Sequence, residues 1–284
     1  MKIVECPRDA MQGIHQFIPT ELKAEYINQL LKVGFDTIDF GSFVSPKAIP
    51  QMQDTAQVLE KLDLSASKSK LLAIIANVRG AEEASRSQEI HYLGFPFSIS
   101  ETFQQRNTNS SIQESFKTVS EIQEKCVNSG KELVVYISMA FGNPYGDEYN
   151  AQFAIDCCGK LVEMGIKTLA LSDTIGISNA GNIKEIFSKA MATFPEVEFG
   201  AHLHSRKESA LEKIKAAYEN KCRRFDVAIH GFGGCPMAKD ELTGNLATED
   251  LISFFESERI PHQLNSAALF SAYEKSWEIF NHYH

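Results

Sequence analysis

Paired cysteines are missing from this chain. Its six cysteines contain no C-x-x-C and no regular spacing, which argues against a disulfide framework or a cysteine-built zinc site. Cys157 and Cys158 are adjacent in a helical pattern, where thiols pack as small apolar groups, so a reducing cytoplasm is the expected compartment. Long apolar runs are missing too, none approaching the ~18 residues needed to cross a bilayer. Positive charge is scarce: 28 Lys and Arg stand against 37 Asp and Glu, for a net charge of −9. That balance excludes a bulk surface for nucleic acid or anionic lipid. The first strand reads from Lys2 or Ile3, which leaves no room for a signal or transit segment. There are no internal repeats, low-complexity tracts or linkers, and the 284 residues are expected to form one α/β domain, 1–284.

What is present is an alternation of short apolar runs with helical patterns. Strands are predicted at 2–5, 37–40, 71–76, 92–97, 133–138, 168–172, 198–204 and 225–230, apolar enough for a parallel sheet covered on both faces. Helices are signalled by Pro19-Thr20-Glu21-Leu22 with Gly34 beyond, and by Ser111-Ile112-Gln113-Glu114, a capping-box pattern that runs to Gly130. Asn150–Met164 and Ile183–Thr193 give two more. The segment from Leu59 to Arg86 is polar and weakly periodic. Eight such units match a (β/α)8 barrel. An open doubly wound sheet also alternates in this way, but Pro7-Arg8-Asp9 stands where its G-x-G-x-x-G would follow the first strand. Polar residues close strands one, two, six, seven and eight, and only a closed barrel brings those ends to one mouth.

The strongest chemical signal is His202-Leu203-His204. In a strand, residues i and i+2 share a face, so both imidazoles point one way, close enough to share an ion. Asp9 and Asn245 complete a mixed N/O donor set that leaves room for substrate, which suits Mg²⁺ or Mn²⁺ without excluding Zn²⁺. Taken alone, Asp9 reads as a helix cap or a partner of Arg8, and Asn245 as a loop amide; the combination argues for ligands. Arg8 carries a fixed charge suited to a developing enolate or carboxylate oxygen. Cys235 lies in Gly233-Gly234-Cys235-Pro236, where flanking glycines allow close approach and a thiol can transfer protons. Asp39 and Asp173 end strands two and six, each positioned to anchor a ligand or act as a base.

The blocks Pro7-Arg8-Asp9, Ser42-Phe43-Val44-Ser45-Pro46-Lys47, Ser172-Asp173-Thr174-Ile175-Gly176, His202-x-His204 and Gly233-Gly234-Cys235-Pro236 with Gly244-Asn245-Leu246-Ala247-Thr248-Glu249-Asp250 resemble the 3-hydroxy-3-methylglutaryl-CoA lyase family of metal-dependent TIM-barrel lyases. The matches run from residue 4 to about 251. The resemblance implies Asp9, His202, His204 and Asn245 as metal ligands, Arg8 as the catalytic cation, Cys235 as general acid/base, and Asp39 and Asp173 as active-site carboxylates. Arg8, Ser42, Lys47 and Thr174 are expected to touch an acyl-CoA substrate, and a homodimer is implied. The implied reaction is retro-Claisen cleavage to acetyl-CoA and acetoacetate. Four departures bear on the substrate: Asp39 replaces the family's glutamate, Ala10 follows Arg8-Asp9 where glycine is usual, Ser205-Arg206-Lys207-Glu208 replaces Asp-Thr-Tyr-Gly, and Asn143 stands where cysteine is common. A different 3-hydroxyacyl-CoA or hydroxy acid is the alternative substrate, and a non-catalytic barrel the alternative role.

Overall fold

The computed structural model describes residues 1–234 and 243–283. Eight strands form a closed barrel: β1 (Lys2–Glu5), β2 (Thr37–Ser42), β3 (Lys70–Ile74), β4 (Ile90–Ser98), β5 (Glu132–Ser138), β6 (Thr168–Asp173), β7 (Glu198–Leu203) and β8 (Arg224–Val227). Each pairs in parallel with the next, and β8 closes onto β1 with Val4 opposite Asp226. The helices that carry the chain between strands are α1 (Pro7–Gln12), α2 (Thr20–Val33), α3 (Thr55–Glu60), α4 (Val78–Ala84), α5 (Glu101–Thr108), α6 (Ile112–Ser129), α7 (Ala151–Glu163), α8 (Ala180–Thr193), α9 (Lys207–Glu219), α10 (Thr248–Ser257) and α11 (Ser266–Tyr283). None of the described helices is long and apolar enough to cross a membrane.

Local chemistry sets the helix ends. Ser111 and Glu114 form the expected reciprocal capping box of α6, and Gly130 ends that helix in the left-handed region at φ 68°. Cys157 and Cys158 are buried on α7. The main core lies between strands and helices, while a separate small cluster of Leu72, Tyr92, Val134, Tyr136 and Ala170 fills the barrel interior.

Four differences from the sequence pattern position the site residues. β2 runs on to Ser42, so Asp39 lies within the strand and not at its end. Pro7, preset for a first helical turn, starts α1 directly after β1 and puts Arg8 and Asp9 on that helix. β7 stops at Leu203, and His204 instead forms an isolated antiparallel bridge to Asn245. β8 stops at Val227, because the Ala228 N–H donates to the Leu246 carbonyl and a tight turn follows at Ile229–Gly231.

Glu5 sits at the junction of three elements. Its carboxyl is fully buried and accepts from the Ile229 N–H (2.9 Å) and the Thr248 hydroxyl (2.6 Å), tying β1 to the β8 exit and the start of α10. Burial pushes this carboxyl up to about 8, against the pull of both hydrogen bonds. The folded state therefore holds a proton that the unfolded chain releases near the ordinary value of 4.5. Stability is greatest below that value and falls as pH rises through about 8, by on the order of 5 kcal/mol over the window. Glu5→Gln, a neutral isostere, is expected to remove this slope. Urea unfolding at pH 5 and pH 9 checks it: variant and wild type match at the lower pH, and the variant is more stable at the higher.

Candidate active site

The C-terminal ends of the strands surround a cavity of about 480 Å³. Arg8 and Asp9 from α1, Ser42 from β2, Tyr136 and Ser138 from β5, Ser172 and Thr174 at the end of β6, and His202 and His204 line it. Arg106, Asn107 and Thr108 from the last turn of α5, with Asn109 beyond, roof it on one side.

Three of the predicted ligands meet. Asp9, His202 and His204 each present one donor atom, all within 4.8 Å of one another, and the two imidazole centroids are 5.4 Å apart. Asn245 joins them through the bridge that pairs it with His204; its amide N–H groups donate to Asp9 Oδ2 (2.7 Å) and the Phe232 carbonyl (2.9 Å). The amide oxygen is thus the atom Asn245 has left to give an ion. Gly244 has to be glycine here, since a Cβ would collide with the Gly231 carbonyl.

His202 uses Nδ1 to meet Asp226 Oδ2 at 3.3 Å. A carboxylate behind one ring nitrogen fixes the tautomer and turns the other nitrogen outward as a ligand. His204 shows the opposite situation: its Nδ1 is buried with no hydrogen-bond partner among the described residues. Such an atom is costly to leave unsatisfied, and beside a carboxylate and a second imidazole it fits a divalent ion. Electrostatics agree. Burial and the neighbouring His202 push His204 down to about 4, leaving a neutral imidazole. For His202, burial pulls downward but Asp226 and Asp9 outweigh it and raise the ring. Burial also pushes Asp9 upward, yet Arg8, both imidazoles and Asn245 hold its carboxyl below the ordinary range.

Arg8 is gripped on three sides. Its Nε donates to both Asp39 oxygens (3.2 and 3.0 Å), Nη2 to Asp39 Oδ2, and Nη1 to Asp9 Oδ1 (3.0 Å) and Gln12 Oε1 (2.9 Å). Of the five guanidinium hydrogens only one, on Nη2, is left for a substrate. Asp39 itself is buried beneath Arg8, where burial pushes its carboxyl up to about 6 despite the guanidinium. It does not line the cavity, and its hydrogen bonds go to Arg8.

The other predicted residues divide. Ser42 and Thr174 reach the cavity, Ser42 Oγ donating to the Ile74 carbonyl and Thr174 Oγ1 accepting from the Met139 N–H. Lys47 is exposed on the loop after β2, whose neighbours Ser45 and Ala48 line the rim. Asp173 is not brought to the cavity: it accepts from the Ile177 and Ser178 N–H groups, the Ser178 hydroxyl and Lys213 Nζ (2.8 Å). Lys213 also donates to the His204 carbonyl at 2.8 Å, so Asp173 is tied through Lys213 to the end of β7. Cys235 lies outside the described residues.

Asp226, Lys213 and Gln12 are functional neighbours that the sequence reading passed over. Asp226 had a signal, a single carboxylate inside the apolar run Phe225–Ala228. Gln12 sits three and four residues from Asp9 and Arg8 on one helix face, the spacing at which side chains meet.

This site has known relatives. The HMGL-like family model matches residues 2–275. The chain belongs to the HMGL-like family. Hydroxymethylglutaryl-CoA lyase of Bacillus subtilis is 32% identical over 266 residues, covering 94% of this chain and 88% of the relative. The mitochondrial hydroxymethylglutaryl-CoA lyase of Mus musculus is 33% identical over 255 residues, 89% of this chain and 77% of the relative. An HMG-CoA lyase from A. baumannii, solved with coenzyme A and 3-methylmalate, superposes with a TM-score of 0.91 at 30% identity, over 99% of this chain and 91% of that one. As an HMGL-like protein with a closed eight-stranded barrel, the chain has the (β/α)8 fold and the carbon–carbon lyase lineage that its motifs imply.

Proposed function

We propose that this HMGL-like chain is a single-domain lyase that cleaves 3-hydroxy-3-methylglutaryl-CoA to acetyl-CoA and acetoacetate, with Mg²⁺ or Mn²⁺ bound by Asp9, His202, His204 and Asn245. The observation that carries the reading is the donor triad beside an arginine with one free N–H, at the floor of a cavity open to solvent. When bound, the ion supplies Lewis acidity toward the tertiary hydroxyl and a carboxylate oxygen of the substrate.

The chain's own groups account for the rest. Cys235, the assigned general acid/base, takes the hydroxyl proton as the carbon–carbon bond breaks. The bond's electron pair moves onto the thioester, forming the enolate of acetyl-CoA, while the hydroxyl-bearing carbon becomes the ketone of acetoacetate. Arg8, held rigid by Asp39, directs its remaining N–H at the enolate oxygen; a preorganised charge of this kind costs no reorganisation during reaction. Cys235 is assigned the proton that the enolate carbon gains. Ser42 and Thr174 are assigned to the acyl group. Lys47, exposed at the rim, offers positive charge to the phosphates of coenzyme A despite the acidic chain as a whole. A cytoplasmic homodimer completes the reading.

The test is a coupled assay for acetyl-CoA with metal analysis of the purified protein. Cleavage should require Mn²⁺ or Mg²⁺ and cease with a chelator. Cys235→Ser should keep the ion and lose turnover by about 10²-fold or more, because a hydroxyl is a poor acid at neutral pH. Full metal occupancy with no cleavage would overturn the substrate, and unchanged turnover in Cys235→Ser would overturn the proton donor.

A further inference from the structure

Beneath the mouth, toward the barrel interior, lies a second set of donors that the lyase reading does not use. Cys6, His202 and Asp226 each present one ligating atom, and the three atoms lie within 4.8 Å of one another. Barrel closure makes this set. Val4 sits opposite Asp226 and the Cys6 N–H donates to the Val227 carbonyl, so the residue after β1 meets the end of β8; Asp226 in turn pairs with His202 of β7.

These donors are poorly satisfied by protein. Asp226 is 1% exposed, and its Oδ1 has no hydrogen-bond partner among the described residues. The nearest cation, Arg224 Nε, is 3.9 Å away, beyond hydrogen-bond reach. Oδ2 meets His202 at a long 3.3 Å. The Cys6 thiol, 1% exposed, makes only a weak 3.6 Å contact with the Val4 carbonyl. An unpartnered carboxylate oxygen buried at this depth costs free energy unless a cation occupies it.

We propose that Cys6, His202 and Asp226 form a second metal site, selective for a thiophilic ion of the zinc class. Donor chemistry separates it from the site at the mouth. One sulfur, one nitrogen and one oxygen suit Zn²⁺ or Cd²⁺, whereas Mg²⁺ and Mn²⁺ prefer the oxygen-richer outer set. Around such an ion, donors settle roughly 3.5 Å apart, a contraction within reach of side-chain rotation. The ion enters between His202 Nδ1 and Asp226 Oδ2; the ring proton moves from Nδ1 to Nε2, and the thiol proton is released to solvent as the sulfur–metal bond forms. Because His202 belongs to both sets, the inner ion takes away the carboxylate that orients it for the outer one. Zinc-class ions therefore weaken Mn²⁺ binding, and by linkage Mn²⁺ weakens theirs equally.

The experiment titrates the metal-free full chain with Cd²⁺ and follows the ultraviolet thiolate-to-cadmium charge-transfer band. Wild type should develop the band. Asp9→Asn and His204→Ala should keep it, since neither contributes to the inner set. Cys6→Ser should lose it while still binding Mn²⁺, and Cys6→Ala gives the same reading if the serine disturbs packing. No band in wild type overturns the proposal. So does a band that survives in both Cys6 variants, which would belong to another sulfur. A band lost in Asp9→Asn would mean one ion at the mouth, not two sites, and that too overturns it.

Discussion

Arg8→Gln is expected to lower turnover about 10³-fold, the cost of removing a preorganised donor from a developing oxyanion, while the protein stays folded and keeps its metal. The side chain is buried, and its guanidinium is shared between Asp39, Asp9 and Gln12. Loss of the charge leaves Asp39 as an unpaired buried carboxylate. That group already sits at about 6, so without its cation it rises further and takes up a proton near neutral pH, which spares the fold an isolated charge. Asp9 loses a positive neighbour, so the affinity for Mn²⁺ holds or rises. The signature is therefore a loss confined to kcat with ion binding intact. Arg8→Lys should recover only part, because an ammonium keeps the charge but cannot reproduce the two-pronged grip on Asp39. Steady-state kinetics beside Mn²⁺ titration checks both variants. Turnover within tenfold of wild type in Arg8→Gln would remove Arg8 from the reaction.

How much of this was visible in the sequence depends on the range of each interaction. The shared face of His202 and His204 follows from the two-residue period of extended chain, which the bridge to Asn245 carries one residue past the end of β7, and the ring centres lie 5.4 Å apart. The capping box of α6 and the glycine ends of α2 and α6 are equally local. Asp226 and Cys6 are different. Asp226 meets His202 through the β7–β8 register, and Cys6 joins them only because β8 closes onto β1; nothing local in either segment encodes those registers. The partner of Asp173 was hidden for the same reason. A carboxylate ending a strand is a fair candidate for chemistry, but a lysine forty residues later on α9 captures it. The motif for Asp39 was legible, while its burial beneath Arg8 depended on β2 continuing two residues beyond its apolar run.

The two histidines should separate when each is replaced, because they are satisfied differently in the metal-free protein. His202 leans on Asp226 through Nδ1, whereas the Nδ1 of His204 has no partner among the described residues. His202→Ala thus strands a buried carboxylate that keeps only distant Arg224 for company, while His204→Ala removes an unsatisfied polar atom. Without metal, His202→Ala is expected to melt below wild type and His204→Ala close to it. With metal both variants fall behind wild type. Each variant loses a ligand, so Mn²⁺ affinity falls by at least about 100-fold, beyond the usual cost of losing a residue behind a ligand, and turnover falls with it. A bound ion stabilises by RT ln(1 + [L]/Kd), so adding Mn²⁺ should raise the melting temperature of wild type and leave both variants unmoved. Thermal melts of the three proteins, with and without Mn²⁺, carry the whole test. A Mn²⁺-dependent rise in His202→Ala equal to that of wild type would show that the ion is held by other residues, and the site would have to be rebuilt around Asp9 and His204 alone.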